Sequence, residues 1–335
     1  MSDKQVKTAY AEEGYLSYIE NARRVVDFEI SQIMPMVDDL GLYEKIRCIL
    51  RTQGKRLRPI MVLLSAQSVG GRPETVRKLA LAIEMLHVAT LIHDDILDQD
   101  TFRRNELTAN IKWGIRDAVL VGDVLASLSL YLSADYESEI TKIISQTCVL
   151  LSDGEYLDVK EAIDTRKESD YIEIIRRKSA SLFKASTRCG AIAAKAKHDE
   201  IDALSVFGEN FGLAYQIKDD LLDIIPVKDS LPQDIKMVRA TLPIIHLCKS
   251  VKLEVKEELF QATAAVSAKN LNAKETAIKI LREHLESTGS LRYCADKINQ
   301  YVTNAIASLE PLKESVFKAY LIEMANSLRL KCYSE

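Results

Sequence analysis

Residues 74–105, ETVRKLALAIEMLHVATLIHDDILDQDTFRRN, run for 32 positions without a glycine or proline. Apolar side chains recur along them at three- and four-residue spacing, which marks one face of a helix. Pro73 suits a first helical turn, and Glu74 suits the positive end of the helix dipole. The stretches 115–133, 138–162, 168–188, 199–225 and 291–307 read the same way. Breakers fall between them: GGRP at 70–73, Gly114, Pro226, Pro232 and STGS at 287–290. Clean period-2 alternation is hard to find. The pattern predicts an all-α protein of ten or more helices. No linker-like composition or 20–50-residue repeat divides it, so one domain over 1–335 is expected.

The bulk properties exclude some classes. The formal net charge is −4, so no global positive field points to nucleic acid. Six cysteines (48, 148, 189, 248, 294 and 332) are scattered without CxxC or metal-finger spacing. They read as reduced thiols of a cytoplasmic protein. The N-terminus, MSDKQVKTAYAEEGY, has no apolar signal core. The longest apolar runs, such as AVLVGDVLASLSLYL, are too short and polar for stable membrane insertion.

The chemistry concentrates in LIHDDILDQDTFRRN and QIKDDLLDI. Asp94, Asp95 and Asp98 recur in the same spacing, 125 residues later, as Asp219, Asp220 and Asp223. On a helix turning roughly 100° per residue, Asp95 lies about 100° and Asp98 about 40° from Asp94, so the carboxylates share one arc. Like charges so placed repel one another, and a cation relieves them. Oxygen-only ligands with room for water suit Mg²⁺ shared with a phosphate-bearing substrate, not zinc. Solvated surface could explain one DDxxD; two by chance has a probability on the order of 0.01.

Basic partners accompany the acids. GKRLRP places Lys55, Arg56 and Arg58 beside an expected helix start, which suits a phosphate. Arg103 and Arg104 follow the first aspartates. His87, seven residues before Asp94, shares its face. Lys178 and Lys218 add further cations.

Together GKRLRP, HVATLIHDDILDQDTFRRN, VGDVLAS, GEYLD (154–158), KSA (178–180), GLAYQIKDDLLD and TLP (241–243) resemble the trans-isoprenyl diphosphate synthases, the polyprenyl synthetase family. The resemblance implies a helical bundle around a central apolar cavity, in a homodimer. It implies Mg²⁺-dependent condensation of isopentenyl diphosphate with an allylic diphosphate. Carried over by position, the six aspartates would hold two or three Mg²⁺ against the allylic diphosphate. Arg103, Lys178 and Lys218 would contact that diphosphate, and Lys55, Arg58, His87 and Arg104 would hold isopentenyl diphosphate. Ser179 and Gln216 match the polar positions near the allylic cation. The sequence departs from the family at Asn105, and at Val238 and Arg239 before TLP. Lys228 is the candidate loop lysine for the allylic diphosphate.

The product tail is expected to run along the helix carrying Asp94. Ala89 is at the position the family uses as a ruler, and Thr90 faces the same stripe. Both are small where short-chain members place aromatics. Leu86 and Ile83 come next, with Ile144 and Cys148 as an alternative floor. A product of geranylgeranyl length or longer is expected. A class I terpene cyclase and a non-catalytic regulatory subunit are the alternatives.

Overall fold

The structure, a computed structural model, describes residues 14–52, 54–104, 106–160, 166–224, 240–252, 255–256 and 271–330. Among them the chain is helical apart from one two-stranded hairpin, as the spacing of apolar residues predicts. It forms two compact units. The first comprises 1–152, 181–208 and 306–324; the second comprises 153–180, 209–305 and 325–335.

The first unit begins with α1 (Tyr15–Ile33), α2 (Tyr43–Arg51), α3 (Leu57–Ser68) and α4 (Pro73–Leu97). From Pro59 to Ser68 every residue of α3 is buried. A helix apolar nearly all round belongs in a core. Burying each of Ile60, Met61, Leu63 and Leu64 contributes about 1.5–3 kcal/mol. The short α5 (Ala109–Trp113) leads into α6 (Ile115–Ser133) and α7 (Ser138–Lys160). α4 packs chiefly on α6. There the His93 ring lies on Gly122 of VGDVLAS, so close that a Cβ would meet its Nε2 at 2.3 Å.

In the second unit α8 (Glu168–Ile175) runs into a π turn, Arg176–Ala180, before α9 (Ser181–Ala193) returns to the first. Gly190 sets the α9 backbone against the Val62 carbonyl of α3; a Cβ there would stand 2.5 Å from that oxygen. Then come α10 (His198–Ile224), α11 (Leu242–Ser250), α12 (Leu271–Ser287), α13 (Ser290–Ser308) and α14 (Val316–Asn326). α7 and α10 each begin in the first unit and end in the second, α13 begins in the second and ends in the first, and α14 belongs to the first but for its end.

The breaker-free run of 74–105 does not stay helical to its end. α4 stops at Leu97, although no glycine follows. Gln99 takes a left-handed φ of 55°. Its N–H donates to the Ile96 carbonyl, and the Asp100 N–H donates to the Asp95 carbonyl at 2.8 Å. This is a Schellman ending, which satisfies the last carbonyls. The chain then turns into the hairpin of β1 (Phe102–Arg103) and β2 (Glu106–Leu107), with Arg103 opposite Glu106.

Candidate active site

In the first unit Asp94 and Asp95 occupy the last turn of α4, and Asp98 is its C-cap. The backbone dipole is negative there, so three carboxylates at this end raise the electrostatic cost. The hairpin returns a cation: Arg103 Nε donates to Asp95 Oδ1 at 2.7 Å, and its Nη2 lies 3.9 Å from Asp100. Asp95 is buried, while Asp94 and Asp98 keep partial exposure.

GKRLRP divides its labour. Arg56 is an internal strut. It caps α3 with a left-handed φ of 52° and is 6% exposed. Its Nη1 donates to Glu84 of α4 at 2.6 Å, and its Nη2 donates to the Leu50 and Thr52 carbonyls. Burial pushes the Glu84 carboxyl up, and Arg56 opposes that shift. Lys55 is left exposed. Arg58 lies over the Phe183 ring at 4.2 Å and meets His87 Nε2 at 3.1 Å. Burial, then Arg58, Arg104, Arg103 and Arg56, hold the His87 pKa well below its usual value. The ring is therefore neutral and accepts from Arg58. Arg104 lies against Gly54, where a Cβ would meet its Nη1 at 2.5 Å. Lys55, Arg58, His87 and Arg104 thus gather about one loop. A cavity of about 620 Å³ opens beside Arg104, lined also by Arg47, Arg51 and Thr52.

On α4, Ile83, Leu86 and Ala89 are buried. Thr90 is half-buried and turns its hydroxyl onto the His87 carbonyl.

In the second unit Lys178 and Ser179 project from the π turn. Gly154 of GEYLD permits this: a Cβ there would stand 2.5 Å from the Lys178 amide nitrogen. Lys178 Nζ then reaches Asp158 at 2.7 Å and Glu155 at 2.9 Å. Burial pulls its pKa down, but Asp158 and Glu155 outweigh burial, so it stays charged. Arg166 grips Asp158 by side chain and carbonyl, each at 2.7 Å. On α10, Asp219 and Asp223 are exposed. Asp220 accepts from Tyr171 at 2.6 Å and from Gln216 at 2.7 Å. Ser179 donates to Gln216 at 2.5 Å. Burial pushes the Asp220 carboxyl up to about 6, against those two hydrogen bonds. Lys218 donates to the Ser327 carbonyl at 2.9 Å. Lys228, Asn105, Val238 and Arg239 lie outside the described residues.

Glu155, Asp158, Arg166 and Tyr171 carry no role in the sequence reading. GEYLD was a visible signal with acids at the right spacing, but nothing local ties it to Lys178. Among the described residues no three His, Cys, Asp or Glu groups form a ready-made metal cage. The donor set still fits Mg²⁺, which takes a few carboxylate oxygens and completes its shell with water and phosphate.

Residues 41–281 match the polyprenyl synthetase family. The chain belongs to that family. It is a trans-prenyltransferase of isoprenoid biosynthesis. It is 31% identical over 322 residues to the geranylgeranyl diphosphate synthase of Methanosarcina mazei, covering 92% of this chain and 95% of that one. It is also 31% identical to an all-trans-nonaprenyl-diphosphate synthase of Rhodobacter capsulatus, covering 89% and 97%. The geranylgeranyl pyrophosphate synthetase structure from Pyrococcus horikoshii superposes with a TM-score of 0.86 at 28% identity, covering 96% of this chain and 100% of that one.

Proposed function

We propose that this prenyltransferase condenses isopentenyl diphosphate with an allylic diphosphate, using Mg²⁺, to make a trans-polyprenyl diphosphate of geranylgeranyl length or longer. The observation that carries the reading is the placement of Asp94, Asp95 and Asp98 at the negative end of α4, which favours a bound cation. Asp219, Asp220 and Asp223 are the second set of carboxylates that the reading assigns to Mg²⁺. Bound Mg²⁺ supplies charge neutralisation of the departing diphosphate. Arg103, Lys178, Lys218 and Lys228 serve that same diphosphate. Lys55, Arg58, His87 and Arg104 hold isopentenyl diphosphate, and the neutral His87 supports Arg58 without competing for the anion. The allylic C–O bond breaks, Ser179 and Gln216 present oxygen to the cation, the isopentenyl double bond attacks, and a proton leaves. No nucleophilic serine or cysteine is needed.

Small Ala89 and Thr90, above Leu86 and Ile83, support an elongated product. By name the relatives run from short-chain isoprenyl through geranylgeranyl to nonaprenyl diphosphate synthases. The protein works as one catalytic domain in a cytoplasmic homodimer. Support for the dimer comes from apolar side chains left exposed on α6 and α7: Ile115, Leu120, Tyr131, Val149 and Leu150. A groove of about 380 Å³ lined by Met36, Leu42, Leu120, Val124, Leu128 and Tyr131 adjoins α6. Among the described residues no helix is long and apolar enough to cross a membrane.

Product sizing tests the reading. Purified protein with Mg²⁺, isopentenyl diphosphate and farnesyl diphosphate should yield longer prenyl diphosphates. Asp94→Ala and Asp219→Ala should each lower turnover by orders of magnitude. Cyclic hydrocarbons, no turnover by the wild type, or near-normal rates in either variant would overturn it.

A further inference from the structure

One buried tyrosine has no part in the chemistry so far. Tyr171, on α8, is 2% exposed and aims its hydroxyl at Asp220. It ends a continuous chain of side chains: Tyr171, Asp220, Gln216 and Ser179. The direction of every bond in that chain follows from one group. An ionised carboxylate can only accept hydrogen bonds. Tyr171 must therefore donate to Oδ2, and Gln216 must turn its amide NH₂ toward Oδ1. With its nitrogen so committed, Gln216 faces Ser179 with its carbonyl oxygen. Ser179 must then donate its only hydroxyl hydrogen to that carbonyl. The Ser179 oxygen keeps its lone pairs for another partner. The reverse polarity would present a hydrogen there, the wrong sign for a carbocation.

We propose that Tyr171 is a positioning residue for the allylic centre: by pinning Asp220 it fixes the polarity of the Gln216–Ser179 pair, so that oxygen and not hydrogen faces the developing cation. The inference rests on the synthase reading, in which Ser179 and Gln216 stand beside that cation. Dipoles fixed before charge develops need no reorganisation at the moment of ionisation, which is why orientation here affects rate. Asp220 can orient Gln216 only if its carboxylate does not rotate. A second donor on the opposite oxygen supplies that restraint.

The test is a double-mutant cycle on the full chain with Mg²⁺, isopentenyl diphosphate and farnesyl diphosphate. Tyr171→Phe keeps the ring and loses the hydroxyl. It should lower kcat about tenfold, with KM for both diphosphates and the Mg²⁺ requirement within about twofold of wild type. Ser179→Ala should do the same. Tyr171 and Ser179 are linked only through Asp220 and Gln216, yet the double variant should be no more than about twofold slower than the slower single one, because both remove one relay. Losses that multiply to about a hundredfold would overturn the inference. So would an unaltered kcat, or a raised Mg²⁺ requirement at constant kcat, which would make Tyr171 part of the metal seat instead. If Tyr171→Phe fails to fold, 3-fluorotyrosine at 171 keeps ring and hydroxyl. Its stronger donor draws charge from Asp220, so it should slow the Ser179 chain and not the Ser179→Ala chain; equal effects on both would overturn the inference. A wild type without turnover would sink the synthase reading itself, a different outcome from any of these.

Discussion

Gly154→Ala tests how closely the π turn that carries Lys178 and Ser179 is set by backbone contact. A methyl at position 154 would stand 2.5 Å from the Lys178 amide nitrogen, 2.8 Å from Arg177 Cβ and 3.0 Å from the Arg177 carbonyl carbon. Two of those are backbone atoms, so no side-chain rotation relieves them. Restoring ordinary contact requires the π turn to retreat by about an ångström, since non-bonded carbon pairs settle near 3.5–4.0 Å. Overpacking of this kind costs about 1–3 kcal/mol of stability. The turn carries Lys178 and Ser179, whose partners Glu155, Asp158 and Gln216 stand on α7 and α10. A displacement of about 1 Å near reacting groups can cost on the order of a hundredfold in rate. The expected result is kcat reduced by tenfold or more, KM for isopentenyl diphosphate unchanged, and a destabilisation of about 1–3 kcal/mol in urea unfolding. Gly41→Ala is the control, because nothing lies within 4 Å of a Cβ there. If Gly154→Ala turns over within twofold of wild type, the turn is not held by that contact and the reasoning fails.

Three further outcomes are expected. Glu84→Ala leaves Arg56, only 4% exposed in its side chain, without its closest carboxylate, and should destabilise by about 3–5 kcal/mol. The pair Arg56→Met/Glu84→Leu should recover most of that loss in chemical denaturation, and failure to recover would mean the pair does more than satisfy itself. Ala89→Phe should shorten the product while turnover persists, checked by chromatography; an unchanged distribution removes Ala89 from the tail's wall. His87 has a folded pKa held below its unfolded value. Unfolding therefore binds a proton, so this group's contribution is complete above pH about 6.5 and is lost as pH falls, by up to about 1.4 kcal/mol per pH unit. His87→Gln should flatten that part of the stability–pH curve, and NMR should show no His87 titration between pH 6.5 and 8.

Much of this was legible from residues near one another in the chain. The repeated Asp-Asp-x-x-Asp, GKRLRP and the three- and four-residue apolar spacing each act within a few turns of helix, so order along the sequence is enough to read them. Reading 74–105 as one helix failed at its end because the stop signal was conformational. Gln99 adopts the left-handed state usually left to glycine, and its composition gives no warning. The roles of charged residues were less legible still. Arg56 and Arg58 look alike in GKRLRP, yet one is buried against Glu84 and the other meets His87.

The sequence by itself determined the helical class, the family, and the two carboxylate clusters, because periodicity and motif spacing are local properties. Only the tertiary structure decided that Glu155 and Asp158 hold Lys178, that Gly154 seats the π turn, and that Tyr171 reaches Asp220 from 49 residues away. Those partners are chosen by which helix faces meet once the apolar stripes are buried, and no local pattern of residues records that choice.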